Sequence, residues 1–155
     1  MLKWKLYKLP HIQDIMNKRK NYTYCTKIDL LMFFHCLVLD ELSRELCTIN
    51  TLFGLYQFNW LPRGAKVSPN LVQAVIMKIV HDIDVDVYMD NCMLFTDKDF
   101  KHHVGLIDKL LSVLVTAEMK YNPLKCAWAV QETSFLGYWM TPTAIKPMKK
   151  KSMRF

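Results

Sequence analysis

The sequence predicts an α+β fold, a split β-α-β-β-α-β arrangement in which an antiparallel sheet carries two helices on one face. Three observations point to it. Residues 84–95 read as two β runs around a tight turn. Two longer segments, after Ser68-Pro69 and after Asp97 or Asp99, repeat apolar residues at helical spacing. Short β-type runs precede the first helix and follow the second.

Taken in order, Pro10 suits a first helical turn, and Ile12, Ile15 and Met16 share a face, so a helix opens the chain. Residues 22–28 alternate and hold β-formers, which predicts a strand ending at Asp29. Residues 47–51 and 55–60 predict an inserted hairpin turning at Leu52-Phe53-Gly54, with Gly54 supplying the turn. Ser68 can cap and Pro69 fits the first turn of a helix carrying Leu71, Val72, Val75, Ile76 and Ile79, ending near His81. In Asp84-Val85-Asp86-Val87-Tyr88-Met89, the acids and Tyr88 point one way and Val85, Val87 and Met89 the other. Asp90-Asn91 is then the expected turn before Cys92-Met93-Leu94-Phe95. A long helix to about residue 119 follows, with Val104, Ile107, Leu110, Leu111 and Leu114 inside. Two short strands, near residues 126–130 and 134–140, complete the pattern.

Composition bounds the function classes. With 155 residues and 52% hydrophobic content, the chain can bury a sizeable core and is not a disordered polymer. The net charge is +7, unevenly placed. Residues 1–27 hold seven Lys/Arg against Asp14 alone, and residues 146–155 hold five against no acid. Basic ends suit a polyanion such as nucleic acid, although solvated tails have the same composition. Five cysteines in no CxxC pair predict free thiols in a reducing compartment rather than zinc or disulfides. There is no signal-peptide pattern, and the longest apolar stretch, residues 30–39, is too short to span a bilayer. The expectation is an intracellular, soluble protein of cytoplasm or nucleus with no membrane partner. His102-His103 diverge on a helix and read as solvated or packed; Asp82, Asp84 and Asp86 read as a polar face leading into the hairpin.

In this topology the first strand lies beside the central hairpin, so Asp29 and Asp90 would meet at one end of the sheet. Nucleotidyl transfer needs such a pair, because two Mg²⁺ ions roughly 3.5–4 Å apart must be held by hard oxygen donors. Taken singly, a strand-end cap and an ordinary turn residue account for the two acids as well. Six segments then occur in order: Thr26-Lys27-Ile28-Asp29-Leu30, Leu61-Pro62-Arg63-Gly64, Ser68-Pro69, Tyr88-Met89-Asp90-Asn91, Asn122-Pro123-Leu124-Lys125-Cys126 and Phe135-Leu136-Gly137-Tyr138. They resemble the successive motifs of reverse transcriptases (RNA-directed DNA polymerases) of gypsy-type LTR retrotransposons, over about residues 5–150.

The resemblance implies a polymerase palm with partial fingers: residues 1–23 a residual fingers segment, 24–140 the palm-like domain, 141–155 a basic tail beginning the thumb or connection. It implies Asp29 and Asp90 as metal-binding carboxylates for Mg²⁺, with Asn91 and Lys125 completing a catalytic set and Lys125 facing the pyrophosphate as proton donor. Leu30, Phe34, Arg63, Gly64, Gln73, Tyr88 and Met89 would border the nucleotide and template, Phe34 as a steric gate against a ribose 2′-OH. Phe135, Leu136 and Gly137 would grip the primer. Each has a plainer alternative: Phe34 a core aromatic, Gln73 an exposed helix residue, Lys125 an exposed loop lysine, and Phe135 a strand-packing aromatic. The implied partners are an RNA or DNA template-primer and deoxynucleotides.

The sequence also departs from the family pattern. The hairpin of these enzymes carries two consecutive Asp, and the second is here Asn91; Phe33 stands where a small Gly is common, and Arg63 where a smaller or uncharged residue is usual. The upstream basic clamp for the triphosphate is missing, and the chain stops about where the thumb or connection would begin. The expectation is template-directed DNA synthesis by two-metal transfer, impaired or inactive in this chain. The alternative is a non-catalytic retroelement remnant that at most binds nucleic acid. An unrelated RNA-recognition module of the same topology ranks last, because Asp84 and Asp86 would repel RNA.

Overall fold

The computed structural model of the chain describes residues 9–19, 21–31, 37–66 and 68–148. Its centre is a four-stranded sheet of β1 (Tyr24–Asp29), β4 (Asp86–Tyr88), β5 (Asn91–Thr96) and β6 (Ala127–Val130), with every pairing antiparallel and the order β4-β5-β1-β6. Helices α3 (Ser68–Ile79) and α4 (Phe100–Thr116) fall between β1 and β4 and between β5 and β6 in the chain. The expected β-α-β-β-α-β pattern is therefore present, with the hairpin strands beside β1.

Period-two alternation sorts the sheet into two faces. Ile28, Cys92 and Val87 are aligned across β1, β5 and β4, all are buried, and all join one core with Val72 and Ile76 of α3 and Leu110 and Leu114 of α4. Both helices thus cover one face. On the other, Cys25, Met93 and Phe95 pack with Ile15 of α1 (Ile12–Lys18), Tyr22, Phe135 and Met140. Burial pushes the Cys25 thiol up to about 11 and the Cys92 thiol up to about 12, so both are protonated and unreactive near neutrality. Cys36 lies outside the described residues.

Several boundaries differ from expectation for local reasons. Ser68 does not cap α3; its hydroxyl is buried and donates to the Pro62 carbonyl at 2.9 Å, tying the preceding turn to the helix. A short helix, α2 (Glu41–Leu46), was not anticipated. Asp40 caps it by accepting from the Ser43 N–H at 2.8 Å, and it buries no residue, so no apolar stripe announces it. The inserted hairpin pairs β2 (Thr48–Thr51) with β3 (Gly54–Gln57), and Thr51 faces Gly54. Leu52 and Phe53 therefore make the turn, and Gly54, at φ 122°, opens the next strand in a backbone region that favours glycine. The single strand expected over 134–140 is a hairpin of β7 (Thr133–Phe135) and β8 (Tyr138–Met140), extended by β9 (Ile145–Pro147) into a three-stranded sheet. Leu136 and Gly137 have φ of 48° and 83°, and positive φ at both central residues matches the twist of a two-residue hairpin. The boundary expected after residue 140 falls inside this sheet.

In α4 the cap is Asp99, which accepts from the His102 N–H, and the helix ends at Thr116 instead of near 119. Val104, expected inside, is exposed, while His103 is fully buried. His103 lies between the hydroxyls of Thr26 (2.8 Å from Nε2) and Thr96 (3.0 Å from Nδ1), which together satisfy a neutral ring. Burial, and secondarily the charge of His102, holds its pKa below the ordinary 6.5. The unfolded chain therefore binds this proton more readily than the folded one. His103's contribution to stability is expected to be complete above about pH 6.5 and to be lost as pH falls toward the depressed folded value. Urea midpoints of wild type and His103→Leu across pH 5–8 check this. The wild-type decline that is absent from the variant is the part owed to His103; equal slopes would contradict it.

Candidate active site

The hairpin between β4 and β5 and the end of β1 form one corner. Asp29, the last residue of β1, is the register partner of Asn91, and Asn91 also pairs with Tyr88. The turn is therefore Met89-Asp90, one residue earlier than the expected Asp90-Asn91, and Asn91 begins β5. A buried amide helps to fix this register. Gln73 of α3 is fully buried; its Oε1 accepts from the Met89 N–H at 2.7 Å and its Nε2 donates to the Val87 carbonyl at 2.9 Å. The alternative of an exposed helix residue is thus excluded for Gln73. The clamp matters because Met89 has φ 51°, a left-handed conformation that costs a non-glycine residue about 1–2 kcal/mol.

Two further bonds fix the carboxylate-bearing backbone, and a third caps the turn beside it. The Leu30 N–H donates to the Asp90 carbonyl at 2.7 Å, and the Asn122 N–H donates to the Asp29 carbonyl at 2.8 Å. The Asn122 side chain accepts from the Leu124 N–H at 3.2 Å, capping the 3-10 turn Pro123–Lys125. That turn brings the exposed Lys125 Nζ to 3.7 Å from Asp29 Oδ1. On the hairpin side, the Asn91 Nδ2 donates to Asp90 Oδ1 at 2.8 Å. The corner thus holds two carboxylates, one ammonium and one amide.

Hard oxygen donors of this kind suit Mg²⁺. Asp29, Asp90 and the Asn91 amide oxygen would offer donors of the right chemistry, one negative charge short of three carboxylates. Among the described residues no group of three or more His, Cys, Asp or Glu converges.

The other expected site residues divide by location. Leu30 is buried in the helix-side core and reaches the corner through its backbone; Tyr88 and Met89 are half-buried in the hairpin. Arg63 and Gly64 lie in the exposed turn leading into α3. Phe34 and Phe33 lie outside the described residues. Phe135, Leu136 and Gly137 stand on the separate β7-β8-β9 sheet, and the Phe135 ring is buried in the second core. Lys27 links the sheets by donating to the Ser134 carbonyl at 3.1 Å. Sequence reasoning missed Arg19. Its guanidinium bonds Asp86 (Nε to Oδ2, 2.6 Å) and Asp84 (Nη1 to Oδ2, 3.0 Å), tying the end of α1 to the base of the hairpin. The Arg19 hydrogen bond lowers the Asp84 pKa against the opposing effect of burial. Nothing local in the run Lys18-Arg19-Lys20 singles out Arg19 for acids so distant in sequence.

Residues 2–140 match the family model described as reverse transcriptase (RNA-dependent DNA polymerase). The chain belongs to the reverse transcriptase family. It is 30% identical over 148 residues to the retrovirus-related Pol polyprotein from transposon 412 of Drosophila melanogaster, covering 94% of this chain and 12% of that polyprotein. It is 25% identical over 153 residues to the polyprotein from transposon gypsy of the same organism, covering 96% of this chain and 15% of the relative. The foamy viral protease-reverse transcriptase, solved in complex with an RNA/DNA hybrid, superposes with a TM-score of 0.84 at 22% identity, over 94% of this chain and 20% of that one. This likeness establishes the α+β polymerase fold. The reverse transcriptase chain thus spans about an eighth of the length of the retrotransposon polyprotein from transposon 412. Reverse transcriptases as a family use divalent metal ions. No helix among the described residues is long and apolar enough to cross a membrane.

Proposed function

We propose that this reverse transcriptase chain supplies the palm for template-directed DNA synthesis, with Asp29 and Asp90 as its metal-binding carboxylates, and that its catalytic step is strongly weakened. The supporting observation is the corner itself: Asp29 ends β1, Asp90 sits in the adjoining turn, and the Leu30–Asp90 backbone bond joins them. A divalent ion held there would activate the primer 3′-oxygen and stabilise the leaving pyrophosphate. Gln73 positions Asp90 by holding the hairpin backbone. Lys125 is the proposed donor of a proton to pyrophosphate. Arg63, Gly64 and Phe34 border the nucleotide in this reading, with Phe34 as the steric gate, and Phe135, Leu136 and Gly137 contact the primer.

The weakness is assigned to Asn91. An amide brings no charge, and here its N–H is turned toward Asp90. Two formal negative charges hold metal less tightly than three and stabilise the transition state less. The partners proposed are a primed RNA or DNA template and deoxynucleotides. Support comes from the foamy viral neighbours, solved with an RNA/DNA hybrid and with dsDNA, and from the basic ends of this chain. Primer extension on a primed RNA template with Mg²⁺ tests the reading, and little or no product is expected. Robust incorporation that depends on Asp90 would overturn the weakening. Retention of the primed template in a gel-shift assay, without extension, favours the non-catalytic nucleic-acid binder that the Asn91–Asp90 bond also fits.

A further inference from the structure

The carboxylate corner carries its own counter-charge. Lys125 is not brought near Asp29 by a free loop. Asn122 caps the turn that carries Lys125 and also donates its backbone N–H to the Asp29 carbonyl, so the turn is fastened to the strand end bearing Asp29. The ammonium lies 3.7 Å from Asp29 Oδ1, with the lysine side chain 65% exposed and the aspartate side chain 18% exposed. Lys27, on the same strand, already donates to Ser134. On the other side of the corner, the Asn91 N–H occupies Asp90 Oδ1. That bond engages the amide N–H and not the amide oxygen.

We infer that Lys125 acts as a displaceable counter-ion of Asp29: a divalent cation reaches this carboxylate only by displacing the Lys125 ammonium. The inference rests on reading Asp29 and Asp90 as metal ligands and adds a role for Lys125 that precedes any contact with nucleotide. An exposed ion pair is weak, so it tunes metal affinity without blocking it. It also sets an order of events. While Lys125 is paired with Asp29 its charge is engaged; once a cation takes its place, the ammonium is released to meet an anion such as a triphosphate. The corner therefore passes from partly neutralised to anion-accepting when metal arrives.

Mn²⁺ binding to the full chain, read from the electron paramagnetic resonance signal of free Mn²⁺, tests this. Lys125→Met is expected to bind Mn²⁺ roughly two- to fivefold more tightly than wild type, a change on the scale of one exposed ion pair. Lys125→Arg, which keeps the charge, is expected to match wild type. Asp29→Asn is expected to lose the binding. If Lys125→Met binds no more tightly while Asp29→Asn still loses binding, the counter-ion role is overturned and the metal reading stands. If Asp29→Asn binds as wild type does, the metal reading fails and the inference fails with it. Unchanged thermal midpoints for the exposed Lys125 variants, and a cooperative thermal transition for Asp29→Asn, establish that all forms compared are folded.

Discussion

Gln73→Leu is expected to lower folding stability by about 2–4 kcal/mol, because each buried polar group left without a partner costs on the order of 1–3 kcal/mol. Leucine approximates the volume of glutamine, so the change removes hydrogen bonds without opening a large cavity. It leaves the Val87 carbonyl and the Met89 N–H unpaired beside the apolar helix-side core of Val72, Ile76 and Val87. For a domain of this size the midpoint should fall by roughly 5–15 °C. A local effect accompanies the global one: with the Met89 N–H released, the left-handed Met89 conformation loses a support, and Asp90, the next residue in the turn, loses its fixed placement. Gln73→Glu should fall between wild type and leucine, since a carboxylate can accept from Met89 but, when ionised, cannot donate to Val87. Thermal unfolding of the three proteins gives the order directly. A leucine variant that melts with wild type would mean that the buried amide does not hold the hairpin.

Much of this arrangement was legible in the sequence, and the residues that were not share a physical cause. The alternation of Val85 and Val87 with Asp86 and Tyr88 and the helical spacing of Val72 and Ile76 are local patterns, and local patterns establish the order of elements. The meeting of Asp29 and Asp90 followed from that order alone. The turn was misplaced by one residue because Asp-Asn is the better turn dipeptide by propensity. Tertiary bonds from Gln73 and Leu30 hold Met89-Asp90 there instead. Gln73 lies outside the apolar spacing read for its helix, and a polar residue there gives no sign of whether its partner is solvent or a strand. Arg19 with Asp84 and Asp86, and His103 with Thr26, are likewise pairings across long separations, which no window of sequence contains. The family resemblance identified the carboxylates and their Asn neighbour; it did not disclose that the Asn91 amide bonds to Asp90 or that Lys125 is fastened beside Asp29.

The Asn91→Asp substitution brings the two halves of the functional reading into one measurement. Without metal it should destabilise the fold by about 1–3 kcal/mol, for two reasons. It removes the bond to Asp90, of the kind worth most when one partner is charged. It also sets like charges directly opposite each other across β1 and β5, where Asn91 is the register partner of Asp29. Mg²⁺ or Mn²⁺ should offset this loss. The added carboxylate should tighten metal binding by about 1–3 kcal/mol, roughly ten- to a hundredfold, the range expected for one more charge at contact distance in a partly hydrated site. Because metal binds the folded state, the thermal midpoint of the variant should then climb with metal concentration more steeply than that of wild type, and at saturating metal should draw level with it. Primer extension should rise with it if charge was the missing element. A variant that loses stability without metal but gains no affinity would show that the three side chains are close without sharing a cation. A variant unchanged in both respects would show that the residue at position 91 does not face the carboxylate corner at all, and the assignment of that corner as the polymerase centre would have to be given up.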